Sequence, residues 1–173
     1  MGLALKAAGV TVISGHGRLD GPEAVIVSTA PGGTDFDRIE ADTIIVSVGA
    51  SPQVLADAQP DGERILTWTQ LYNLSDVPEH IVVVGSGVTG AEFAGAYRAL
   101  GADVTLVSSR DQVLPGEDAD AAAVIEDVFR RSGMAVLSGA RAMKAERSES
   151  GVVVTLADGK TVTGSHVLMA VGS

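Results

Sequence analysis

"VVVGSGVTGAEFAG" (residues 82–95), followed by "VTLVSSRD" (104–111), decides the fold. The continuous apolar run "HIVVVG" (80–85) suits a parallel strand buried on both faces. Helix signals begin at Val88 and stop at Gly101, a residue suited to ending a helix in the left-handed conformation. A second strand is expected from Val104 to Val107. Strand, glycine turn, helix and strand in this order make a unit that grips a dinucleotide, whereas G-x-G-x-x-G alone is a weak signal.

Each glycine has an expected mechanical task. Gly85 allows the sharp turn out of the strand, Gly87 leaves room for a pyrophosphate against the backbone, and Gly90 lets the helix lie close. Backbone amides across Gly85, Ser86, Gly87, Val88, Thr89, Gly90 and Ala91 would then point at phosphates, aided by the helix dipole. In an NAD site, an acid about 20 residues beyond the glycines holds the adenosine ribose. Here that position is Ser108, followed by Ser109 and Arg110. Two hydroxyls and a guanidinium fork could bind a 2′-phosphate that an acid would repel, so NADPH is expected to be tolerated or preferred over NADH. The plainer alternative pairs Arg110 with Asp111 on the surface and leaves the site open to either nucleotide. Glu92 is expected in the first helical turn on the ligand side, with interaction with the helix dipole as the alternative.

Downstream, a second helix is expected from about Ala119 to Arg131, with Ala121, Val124, Ile125, Val128 and Phe129 as one apolar stripe. Glu117, Asp118 and Asp120 suit its N-terminus, and Arg130 and Arg131 its C-terminus. Strands follow near 135–137, 142–148, 151–157, 160–164 and 166–172, with Asp158-Gly159 marking a hairpin. The first third carries β-branched runs at 10–14 ("VTVIS"), 24–28 ("AVIVS") and 42–49 ("DTIIVSVG") with no helix period between them. An antiparallel meander is expected there, and residues 50–64 are expected to be a connector. The fold class is therefore α/β: a Rossmann-like parallel sheet plus an antiparallel β meander, preceded by a β-rich segment.

The net charge of −10 argues against nucleic acid as a partner. The chain has no cysteine, so a thiol nucleophile or zinc-thiolate site within it is excluded, and no metal site is expected. The absence of cysteine fits a cytoplasmic protein, which is expected, and no apolar run approaches the roughly 18 residues of a membrane helix. His16, His80 and His166 lack a partner acid at a meaningful spacing, so none is a convincing general acid or base.

"GSGVTGAEFAG", with Glu92 two residues past the third glycine, resembles the NAD(P)H site of the flavoprotein disulfide reductases, which include dihydrolipoamide dehydrogenase and glutathione reductase. "DTIIVSVGASP" (42–52) and "VLMAVGS" (167–173) resemble that family's two crossings between domains. "SSRDQVLPGEDAD" resembles its stretch after the second strand, closest to an actinobacterial NAD(P)H:quinone reductase branch. The resemblance implies FAD and NAD(P)H as cofactors, with hydride passing from NAD(P)H to FAD and electrons onward to a quinone or disulfide acceptor. By position it implies NAD(P)H contacts from Gly85 to Glu92, at Ser108 to Arg110, and through the backbone of Ala142 and Gly172. Gly49 and Ala50 would approach FAD, and Glu92 would pair with a lysine near the flavin. Val88 departs from relatives that place an aromatic gate there. The resemblance further implies a homodimeric parent, with residues 1–62 as the C-terminal part of an FAD-binding segment and residues 63–173 as the NAD(P)-binding domain. The chain is thus expected to be an interior stretch of a longer enzyme, not catalytically complete alone. A regulatory nucleotide-sensing Rossmann module without catalysis is the alternative.

Overall fold

The computed structural model describes residues 2–34 and 36–172, and the chain divides into two compact units, Met1–Gly49 and Ala50–Ser173. The first unit holds a short helix α1 (Gly2–Ala7) and three strands, β1 (His16–Leu19), β2 (Ala24–Ser28) and β3 (Phe36–Glu40). They form an antiparallel sheet in the order β1-β2-β3, in which Val27 faces Gly17 on one side and Asp37 on the other. The meander is antiparallel as expected, but only β2 lies where its β-branched run predicts. The runs at 10–14 and 42–49 join no ladder among the described residues, and both flanking strands fall in stretches expected to be turns. Composition makes a segment fit for a sheet, but pairing makes it a strand. Here the would-be strands have no partner, and their side chains stand in solvent, Val12 at 59% and Val48 at 88% exposure.

The second unit is built on five parallel strands: β4 (Ile65–Thr67), β5 (His80–Val84), β6 (Asp103–Val107), β7 (Ala135–Leu137) and β11 (His166–Met169). Their order is β4-β11-β5-β6-β7. Between them run α2 (Trp68–Leu71), α3 (Val88–Ala99) and α4 (Ala119–Arg131). An antiparallel sheet, β8 (Ala142–Arg147), β9 (Val152–Leu156) and β10 (Thr161–Gly164), is inserted before β11. Successive side chains of a strand point to opposite faces, and here both faces are covered. Ile81 and Val83 join Leu106, Ala91 and Ala94 on the helical side. Val82 and Val84 join Val107, Val167 and Met169 against Val152, Val154 and Leu156 of the inserted sheet. Complete burial of each such aliphatic side chain contributes about 1.5–3 kcal/mol, which is why an unbroken valine run serves as a strand here.

The α3 helix lies close because its inner face is small: Ala91 and Ala94 are buried, and the Phe129 ring approaches Gly95. Gly101 ends it at φ +100°. In α4, Asp118 caps the N-terminus by accepting from the amides of Asp120 and Ala121, both at 3.1 Å. The apolar stripe of α4 sits differently from expectation. Ala122 and Phe129 turn inward, while Ala121, Val124, Ile125 and Val128 stay exposed, because the contact face is rotated about a quarter turn from the stripe's centre.

Residues 50–62 belong to the second unit and pack within it. Ala58 is buried beside Ile65 and Val82, and the Asp57 carbonyl accepts from the Ala145 amide at 3.0 Å. Asp61 Oδ1 then accepts from three amides, Glu63, Arg64 and Ile65, at 2.8–2.9 Å, fixing the turn into β4. Among the described residues, no helix is long and apolar enough to cross a membrane.

Candidate functional site

All five parallel strands end on the same edge, and each delivers residues to it. Trp68 follows β4, Ala170 to Gly172 follow β11, Gly85 to Thr89 follow β5, Ser109 and Arg110 follow β6, and Ala140 to Ala142 lie just beyond β7. The chain reverses direction across the sheet at β5: it proceeds through β6 and β7 on one side and returns to β11 on the other. In open α/β sheets, ligands lie at the carboxyl edge beside such a switch point. Two cavities occupy that edge, of about 420 and 380 Å³, and Gly85, Ser109, Arg110 and Val171 line both.

The glycine turn has the expected mechanics. Gly85 sits at φ +107°, and a Cβ there would run into the Ala170 carbonyl. A Cβ on Gly90 would run into the carbonyl of Gly85, so the helix packs on the turn itself. Around Gly87 nothing lies within 4 Å of where a Cβ would be, and that residue lines the larger cavity. Gly87 is also the N-cap of α3 and has no side chain to bond the first-turn amides. Those amides have no intrahelical partner and carry the positive end of the helix dipole. This cradle fits a diphosphate.

The segment after β6 differs from expectation at Ser108. That side chain is fully buried and lines neither cavity. Its oxygen accepts from the Arg110 amide at 3.1 Å and donates to the Arg110 carbonyl at 2.9 Å, and it lies 2.7 Å from the Ser86 hydroxyl. Ser108 therefore holds two loops together, while Ser109 and Arg110 face the cavities. Arg110 is an exposed residue and makes no ion pair with Asp111 among the described residues. Leu114, at φ +53°, donates its amide to the Ser86 carbonyl at 2.7 Å and sets Pro115 in the wall of the larger cavity.

Glu92 is the fifth residue of α3, not part of its first turn. It is exposed and lines neither cavity. One helical turn carries it past the ligand edge. Ala142 and Gly172 do line cavities, the smaller and the larger respectively. Gly49 (φ +76°) and Ala50 are exposed and line neither cavity. The histidines of this unit stand at the opposite edge, as the first residues of β5 and β11. His80 Nε2 meets Thr105 Oγ1, and His166 Nδ1 meets Ser165 Oγ, both at 3.0 Å.

Several lining residues were not anticipated from the sequence, among them Trp68, Pro115 and Arg141. Trp68 is the chain's one tryptophan, and the three-residue strand it follows has no local signal of its own.

The model of the pyridine nucleotide-disulphide oxidoreductase family matches residues 2–173. The chain belongs to that family. Among its relatives, an NAD(P)H dehydrogenase (quinone) of Mycobacterium tuberculosis is 52% identical over 98% of this chain. A dihydrolipoyl dehydrogenase of Chlorobaculum tepidum is 36% identical over 97%. This chain spans 35% and 36% of those two proteins' lengths. The crystal structure of LpdA from M. tuberculosis superposes with a TM-score of 0.83 at 49% identity, covering 99% of this chain and 38% of that one. A water-forming NADH oxidase from Lactobacillus brevis, solved with NADH bound, matches at a TM-score of 0.66 and 25% identity, covering 87% and 35%. The family's fold is thus the α/β arrangement found here, and its members use FAD and NAD(P)H.

Proposed function

We propose that residues 63–173 are the NAD(P)H-binding domain of an FAD-dependent oxidoreductase and that residues 1–62 are the C-terminal part of its FAD-binding segment. The observation that carries this reading is the convergence of five strand ends on an uncapped α3 N-terminus with open space at Gly87. The first mononucleotide half, β5-α3-β6, holds the adenosine side in folds of this kind. The adenosine is accordingly placed over β6 and β7, its ribose near Ser109 and Arg110 and its base against the backbone of Ala142. The diphosphate lies on the amides from Ser86 to Gly90. The nicotinamide points the other way, over β11 and β4, between Trp68, Val88 and Gly172. Val88 leaves that pocket open, and the indole of Trp68 supplies an aromatic wall from a different element.

Two further features support the first segment's role. Residues 10–14 and 42–49 are β-branched, apolar and unpaired, which suits addition to a sheet formed elsewhere in a longer protein. The relatives are close to three times this chain's length. Gly49 and Ala50, which line neither of the two cavities, would border the flavin in that assembly. FAD, when bound, supplies the ring that accepts hydride. This chain's part is to hold the nicotinamide in register and keep water from it. The electrons then pass to a quinone or disulfide acceptor. The whole enzyme is proposed to be a cytoplasmic homodimer.

Trp68 offers a direct test: titrating the chain with NADPH or NADH should quench its fluorescence saturably and raise the melting temperature. Absence of both effects at millimolar nucleotide would overturn the reading.

A further inference from the structure

We propose that Arg141 is the second cation of a phosphate clamp whose first cation is Arg110, and that the clamp takes the 2′-phosphate of NADPH. The inference rests on the dinucleotide site proposed above. It adds a specificity-determining residue on an element that the glycine fingerprint does not reach.

Both arginines line the smaller cavity, Arg110 from the segment after β6 and Arg141 from the segment after β7, with Ser109 beside them. Their backbones are tied to one another's surroundings. The Gly139 amide donates to the Arg110 carbonyl at 2.9 Å, and the Ala140 amide donates to the Ser108 carbonyl at 2.7 Å. From the far side, the Arg141 carbonyl accepts from the Ala157 amide at 2.8 Å. The two side chains therefore spring from anchored positions.

Other cations of this unit are occupied. Six are in ion pairs with acids, and Arg64 donates to the Ser165 carbonyl. Only Arg110 and Arg141 have neither kind of partner among the described residues, and they share one cavity wall in a chain of net charge −10. Two like charges held on one wall without an acid repel each other, and an anion between them removes that cost. Arg141 also borders the neighbouring cleft, but there Lys160 already pairs with Asp158 at 2.8 Å. Guanidinium forks match a phosphate ester's oxygens in pairs, and a dianion gains most from two forks. A 2′-hydroxyl offers no such partner, so the clamp separates NADPH from NADH at the adenosine end.

Calorimetry on this chain with 2′,5′-ADP, 5′-AMP and inorganic phosphate, in the wild type, Arg110→Ala, Arg141→Ala and Arg141→Lys, tests the assignment. Loss of one charge-assisted contact should weaken 2′,5′-ADP about tenfold in Arg141→Ala, with a smaller loss in Arg141→Lys and 5′-AMP changed less than about twofold. An equal loss for both nucleotides, or none for 2′,5′-ADP while Arg110→Ala still loses it, would overturn the role of Arg141 and leave the dinucleotide site standing. Inorganic phosphate binding as tightly as 2′,5′-ADP would overturn the nucleotide assignment of the clamp. Failure of the wild type to bind either nucleotide would overturn the clamp together with the site it rests on.

Discussion

The hydroxyl of Ser108 lies 2.7 Å from that of Ser86, joining the segment after β6 to the glycine turn after β5 through two side chains with no exposure to speak of. With the Ser108 proton on the Arg110 carbonyl, Ser86 is the donor of the pair. The position at which NAD sites carry an acid is thus used here to lock one loop to another, and it leaves Ser109 and Arg110 to meet the ligand. Ser108→Ala should cost about 1–3 kcal/mol, because the buried Ser86 hydroxyl loses its side-chain partner and the part-buried Arg110 amide its acceptor. It should also weaken NADPH binding by loosening Arg110. Urea melts and nucleotide titration of the variant check both effects; unchanged stability would contradict this role.

The three glycines should separate by phenotype. Gly87→Ala meets open space and should fold within about 0.5 kcal/mol of the wild type while losing nucleotide affinity. Gly85→Ala and Gly90→Ala each drive a methyl group into backbone carbonyl atoms and should destabilise by about 3 kcal/mol or more. Denaturation curves beside binding isotherms distinguish the classes.

Trp68 should report the nicotinamide side alone. NADPH should quench its emission, whereas 2′,5′-ADP, which fills only the adenosine end, should bind with little quenching. Equal quenching by both would move the indole to the wrong half of the site.

Burial lowers the pKa of His166 below 6.5, and the Arg64 charge adds to the effect against an opposing contribution from Asp61. The ring is then neutral in the folded protein at pH values where the unfolded chain binds a proton. Stability is fully present above about pH 6.5, falls as pH drops below it, and levels off under the folded-state pKa. Thermal melts from pH 7.5 down to about pH 5 should show a steeper loss for the wild type than for His166→Gln. Parallel slopes would contradict the assignment.

Local signals made much of this legible in the sequence. The valine run of β5, the glycines at 85, 87 and 90, the stops at Gly101 and Gly133, and the Asp118 cap each act within a few residues of themselves. What escaped depends on distant partners. The three-residue β4 exists because it pairs with β11 a hundred residues later, so nothing local marks Trp68 at its end. The runs at 10–14 and 42–49 carry strand composition but pair with no strand among the described residues. The burial of Ser108 depends on Ser86, 22 residues away, and the place of Arg141 on a loop clamped to Arg110. The exposed stripe of α4 shows the same limit, since periodicity identifies an apolar face without saying what covers it.

Proton–nitrogen correlation spectra of the labelled chain titrated with NADPH test the site most directly. The expected result is a set of saturable shifts at the amides of residues 85–90, joined by 109–110 and 140–142, all lost in Gly87→Ala. Shifts confined to other surfaces, or the same shifts persisting at wild-type affinity in Gly87→Ala, would contradict a diphosphate bound on those amides.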